Sequence, residues 1–223
     1  MTITGLSRSV EDYLKAVYSL NERGGSASTN DLARTLDIQP ASVSGMIRRL
    51  AEDGLLEHEP YRGVRLTAEG SRQALKILRR HRIIESFLVH RLGYAWDDVH
   101  DEAERMEHAA SDTLIDRMAD ALGNPSTDPH GAPIPTRAGE IDPTPHHTLD
   151  EVAAGVRVVV RSVSDENPKR LRYFKAVGVV PGAKVLVQAG GAAHNPLKVL
   201  IGDDPEPLHM KSEVAKRVTV SAV

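Results

Sequence analysis

The chain has 223 residues, enough for two or three modest domains, with 40% hydrophobic and 26% charged residues, no apolar run of the ~18 residues that span a membrane and no signal-peptide-like start, so a cytoplasmic protein with no membrane partner is expected. It contains no cysteine, which excludes disulfides, iron-sulfur clusters and thiolate ligands and leaves any metal to nitrogen and oxygen donors. The net charge of -3 conceals a division: residues 1–95 carry 14 Lys+Arg against 11 Asp+Glu, residues 96–150 carry 3 against 13, and residues 151–223 carry 11 against 7, so a basic start that suits a polyanion is followed by an acidic middle that suits cations.

From Ser9 to Glu22, Val10, Tyr13, Leu14, Val17, Tyr18 and Leu20 recur at helical spacing and predict a first helix. Ser28, Thr29 or Asn30 can cap a short second helix through Leu32, Ala33 and Leu36, and Pro40 starts a third that runs to about Asp53. Val43, Met46, Ile47 and Leu50 line one face of that third helix. The other face is left with Gln39, Ser42, Ser44, Gly45, Arg48 and Arg49. Two strand-like runs, residues 55–59 and 64–67, flank Pro60-Tyr61-Arg62-Gly63 and predict a hairpin.

Three helices and a hairpin in this order predict a winged helix-turn-helix that binds double-stranded DNA. The small polar residues after Pro40 allow close approach to a major groove, while Arg48, Arg49, Arg62 and Arg65 are placed to meet phosphates. Singly, each of these residues reads as an ordinary solvated group; the ordered set favours DNA.

Thr67 caps a long helix from Ala68 to about Leu92, in which His81 and Glu85 stand one turn apart. Taken alone, that pair is a surface ion pair. Gly93 ends the helix, and Asp97 or Asp98 can cap the next, which contains His100-Asp-Glu-Ala-Glu104-Arg-Met-Glu107-His108. On a helix His100, Glu104, Glu107 and His108 fall within an arc of roughly 100°, beside an apolar stripe of Val99, Ala103, Met106 and Ala110. Carboxylates at the edge of a core are costly without compensation, so this arc predicts a bound cation. A further helix is expected from Ser111-Asp112 through Leu122, and helices apolar on more than one side suit dimerisation.

Residues 123–147 are rich in proline and polar residues and read as a linker. Beyond it the period becomes strand-like over residues 156–163, 184–188, 196–201 and 217–220, with a short helix expected between Tyr173 and Val179. Four or five short strands in this length predict a small barrel of SH3 type.

On Val10-Glu-Asp-Tyr-Leu14, Arg80-His-Arg-Ile-Ile-Glu85, Val99 to His108 and Asp128-Pro-His-Gly-Ala-Pro-Ile-Pro135, the chain resembles the diphtheria toxin repressor family of metal-dependent transcriptional regulators over nearly its full length. The resemblance implies an α+β fold in three parts: residues 1–70 as a winged helix-turn-helix DNA-binding domain, 71–147 as an all-helical metal-binding and dimerisation domain with its Pro-rich linker, and 148–223 as a small SH3-like, FeoA-like β-barrel domain. It further implies a homodimer that binds palindromic operator DNA, with a divalent metal as corepressor, to control metal homeostasis.

Carried over position by position, the resemblance implies a primary site of Asp12, Glu104, Glu107 and His108, with His81 nearby, and a second site of Glu85, His100 and His81. His130 and Asp128 match ligand positions of manganese-type relatives, and Asp165 or Glu166 would complete the second site. Iron-type relatives place methionine at position 12 and cysteine at position 104; the carboxylates here are manganese-type, and hard oxygen donors suit Mn(II), with Fe(II) as the alternative. Lys15 departs from manganese-type relatives that carry a glutamate there for a second ion. A metal-dependent hydrolase is the reading from another class, but no nucleophile or acid-base pair accompanies the ligand set. A regulator answering to an organic ligand is a third.

Overall fold

The structure, a computed structural model, describes residues 6–22, 25–59, 63–141, 147–164, 167–189 and 196–223. Helices α1 (Arg8–Glu22), α2 (Thr29–Thr35) and α3 (Pro40–Glu52) are followed by strands β1 (Leu56–Glu59) and β2 (Gly63–Leu66), then by α4 (Ala68–Leu92), α5 (Val99–Glu107) and α6 (Asp112–Ala121). The C-terminal part consists of β3 (His147–Thr148), β4 (Arg157–Val163), α7 (Pro168–Ala176), β5 (Lys184–Ala189), β6 (Leu197–Ile201), β7 (Leu208–Met210), α8 (Ser212–Ala215) and β8 (Val218–Ala222). The chain divides into two compact units, one of Met1–His81, Arg105–Ile115 and Ile134–Ile141 and the other of Arg82–Glu104, Asp116–Pro133 and Asp142–Val223. No described helix is long and apolar enough to cross a membrane.

The first unit contains the winged helix-turn-helix. Val10, Tyr13, Leu14 and Val17 occupy one face of α1 at helical spacing and pack with Leu32 of α2, Val43, Ile47 and Leu50 of α3, and Leu56 and Val64 of the hairpin. Ser28 is the N-cap of α2, accepting from the Asp31 amide at 3.0 Å. Asp37 turns the chain at φ 53, and Pro40 in the first turn of α3 has no amide hydrogen to leave unsatisfied. β1 and β2 pair antiparallel from Leu56↔Leu66 to Glu59↔Gly63, and Ala27 bridges to Val64 along the far edge. Gly63 must be glycine: its φ is 89, and a Cβ there would lie 2.8 Å from the Ala27 carbonyl oxygen. Thr67 caps α4 through the Gly70 amide at 3.0 Å.

The second unit contains the SH3-like domain, a six-stranded antiparallel sheet in the order β3-β8-β4-β5-β6-β7. Alternation along β4 buries Val158, Val160 and Val163, the last after a register shift between Val160 and Ser162 that returns the apolar side to the core. Leu171 and Phe174 of α7 complete that core with Val185, Val187, Val199, Val218 and Val220. The helix begins earlier than the apolar pattern indicated, because Asn167 caps the Arg170 amide and Pro168 supplies a preformed first turn.

Candidate metal centre

α1 presents Glu11, Asp12 and Lys15, α4 presents Arg80 and His81, and the end of α5 presents Glu107 and His108. All seven belong to the first unit. His108 Nδ1 lies 2.7 Å from Glu11 Oε2, and since a carboxylate can only accept, Nδ1 carries the hydrogen and Nε2 the lone pair. Nε2 lies 3.0 Å from Asp12 Oδ1 and 3.5 Å from Glu107 Oε1, yet it is buried with no hydrogen-bond partner among the described residues. A lone pair held at the edge of two carboxylates, with its hydrogen-bonding directions unmet, fits a cation. Donors roughly 2–2.2 Å from a divalent ion are themselves about 3 Å apart, as these are.

Glu107 is fully buried. His81 Nδ1 donates to its Oε2 at 2.6 Å and Lys15 Nζ to its Oε1 at 2.7 Å. Burial pushes this carboxyl up, but the His81 hydrogen bond and the Lys15 charge outweigh burial and hold it below the ordinary glutamate value. Glu11 is also buried, and its second oxygen accepts from Arg80 Nη1 at 2.8 Å. Glu104 stands on α5 one turn before His108, so helix geometry alone sets it on the same side.

In the second unit, Glu85, Asp128 and His130 are all buried and each offers a donor atom within 4.8 Å of the others. His130 Nδ1 is 3.7 Å from Glu85 Oε2, and His100 Nδ1 is 3.3 Å from Glu85 Oε1. His130 Nε2 donates to the Trp96 carbonyl oxygen at 2.7 Å, which fixes Nδ1 as the lone-pair nitrogen facing Glu85. Its ring stacks on Trp96 with centroids 5.5 Å apart. Asp128 folds the loop by accepting from the His130 and Ala132 amides at 2.8 and 3.0 Å, while its other oxygen lies 3.3 Å from Arg82 Nε. The loop is held against β4: Val163 N–H donates to the His130 carbonyl at 3.0 Å, and a Cβ on Gly131 would sit 2.0 Å from the Arg161 oxygen.

The predicted residues therefore fall into two groups. Asp12, Glu107, His108 and His81 come together in one unit, and Glu85, His100 and His130 in the other, where Glu104 Oε1 lies 3.8 Å from His100 Nε2. Asp165 lies outside the described residues. Sequence reasoning did not single out Glu11, Arg80 or Trp96; the only signal was that Glu11 adjoins Asp12 within one of the quoted motifs. On α3, Gln39, Pro40, Ser42, Ser44, Arg48 and Arg49 are exposed while Val43, Ile47 and Leu50 are buried, so the polar face is open to a partner. Arg62 lies outside the described residues.

Three family models match the chain: the N-terminal DNA-binding domain of iron-dependent repressors over residues 5–64, their metal-binding and dimerisation domain over 67–136, and the FeoA domain over 147–222. The chain is 32% identical over 226 residues to the iron-dependent repressor IdeR of Mycobacterium leprae, covering 96% of each. Among solved structures, a manganese-dependent transcriptional repressor in complex with manganese is similar at TM-score 0.87 and 37% identity, covering 96% of this chain and 100% of that one. The structure of IdeR from T. acidophilum is similar at TM-score 0.83 and 26% identity, covering 99% of this chain and 100% of that one.

Proposed function

The chain belongs to the diphtheria toxin repressor family of metal-dependent transcriptional repressors, and from that premise we propose that its effector is Mn(II), held by Asp12, Glu104, Glu107 and His108. The observation that carries this reading is His108 Nε2, buried against Asp12 and Glu107 without a hydrogen-bond partner. Carboxylates at positions 12 and 104, with no thiolate anywhere, favour a hard ion selected by ligand type. Fe(II) is the competing effector, because the Mycobacterium leprae relative is an iron-dependent repressor by name. Glu85, Asp128 and His130, with His100 against Glu85, would hold a second divalent ion.

The bound ion supplies charge that joins carboxylates and imidazole; it performs no reaction. Asp12 stands on α1, whose other face is packed into the winged-helix core through Tyr13, Leu14 and Val17. Joining Asp12 to His108 therefore restrains the helix on which the DNA-binding domain is built, and a restraint that favours one conformation raises operator affinity by the same factor that operator raises metal affinity. The reading assigns DNA contact to residues 1–70, through α3 and the wing, and homodimerisation and metal binding to 71–147, in line with the domain matches. Residues 148–223 complete the molecule as the SH3-like part.

The test is titration of promoter fragments by the full chain in chelator, Mn(II), Fe(II) under anaerobic conditions and Zn(II). Mn(II) should tighten binding by about tenfold or more, within the usual range of allosteric coupling. His108→Ala binding operator as tightly as the parent, with and without Mn(II), would refute the reading. Equal binding in chelator would instead support a regulator that needs no metal.

A further inference from the structure

Lys15 lies on α1 one turn after Glu11, and its ammonium donates to Glu107 Oε1 at 2.7 Å with the lysine side chain only 20% exposed. That oxygen is also the one 3.5 Å from His108 Nε2. Lys15 and the divalent ion of the proposed function thus address the same carboxylate oxygen. We propose that Lys15 is a built-in cation of this centre, which neutralises Glu107 before metal arrives and, by its charge, limits the centre to one divalent ion. The inference rests on the proposed function and adds its stoichiometry.

Charge and valence carry the argument. Glu11 is matched by Arg80, so its charge is spent within the protein. The proposed ligands Asp12, Glu104 and Glu107 bring three negative charges. One divalent ion together with the Lys15 ammonium cancels them, whereas a second divalent ion would leave a net double positive charge beside a buried ammonium contact. A carboxylate oxygen has two lone pairs, so Glu107 Oε1 can accept from Lys15 and still face the ion; Lys15 need not leave when metal binds. Without metal, the same contact keeps a fully buried carboxylate from standing uncompensated.

An ordinary structural ion pair would also account for the contact, and the two are separated by ion counting. Mn(II) bound per chain is measured on the full-length parent, Lys15→Glu and Lys15→Met after equilibration with Mn(II) alone, with electron paramagnetic resonance on the same samples. Lys15→Glu should take up one ion more per chain than the parent and show an exchange-coupled Mn(II) pair, which the parent lacks. Lys15→Met should melt at least about 5 °C below the parent in chelator and regain most of that on adding Mn(II). The same ion count and no coupled pair in Lys15→Glu overturns the inference, as does a coupled pair in the parent. Equal melting of Lys15→Met and parent in chelator overturns it also, and this arm needs no charge-reversed variant to fold. A parent that takes up no Mn(II) overturns the proposed function itself; a parent activated by Mn(II) whose Lys15→Glu variant gains no ion overturns only the role of Lys15.

Discussion

His108 donates its Nδ1 hydrogen to Glu11 Oε2 at 2.7 Å, across 97 residues of sequence. The bond determines which imidazole nitrogen is left to face Asp12 and Glu107, and Arg80 in turn holds Glu11. An outer carboxylate of this kind both orients a ligand histidine and raises its basicity. Glu11→Ala should therefore weaken Mn(II) affinity by about 10- to 100-fold. Glu11→Gln, which can still accept from Nδ1, should lose less. Calorimetric titration checks both, and equal losses would mean that Glu11 acts only through packing.

The lone tryptophan of the chain reports on the other cluster. Trp96 stacks on His130 and accepts its Nε2 hydrogen through the backbone, so an ion held by Glu85, Asp128 and His130 would lie close to the indole. Paramagnetic Mn(II) should quench Trp96 fluorescence in the parent and leave it nearly unchanged in His130→Ala. Quenching of the same depth in both proteins would place the responsible ion elsewhere.

The acid limb of stability should depend on Glu107. Its carboxyl is held below the ordinary value of about 4.3, against burial, by His81 and Lys15. A lowered folded value contributes stability that is present above the unfolded pKa and is lost as pH falls through the folded one. In chelator, Glu107→Gln should be less stable than the parent at neutral pH, and the gap should close as pH drops below about 4. Denaturant titrations at several pH values measure this; a gap independent of pH would contradict it.

On the exposed face of α3, Arg48 should act on phosphates and not on bases. Arg48→Ala should weaken binding about equally across operator variants and reduce the salt slope by about 1. A loss confined to one base pair would instead make Arg48 a reader of sequence.

Much of the architecture was legible in the order of residues because it rests on short periods. Helical spacing of Val10, Tyr13, Leu14 and Val17 and of Val43, Ile47 and Leu50 identified the buried faces of α1 and α3, and β4 showed its alternation. The edge strands β3 and β7 were not legible, since runs of 2 and 3 residues are too short to display a period of two. α7 begins where Asn167 and Pro168 cap it, earlier than its apolar residues suggest.

For the candidate centres the division is the same. That His100, Glu104, Glu107 and His108 share one side of a helix follows from the primary structure alone, because rotation per residue is constant within an element. What that side meets depends on packing between elements far apart in sequence. Only the tertiary structure decided that Glu11 turns to His108 Nδ1, that Asp12 faces Nε2, that Lys15 reaches Glu107, and that Asp128 and His130 close on Glu85. The physical reason is that periodicity specifies which residues share a face, whereas distances between faces are set by how side chains from separate elements fill the space between them.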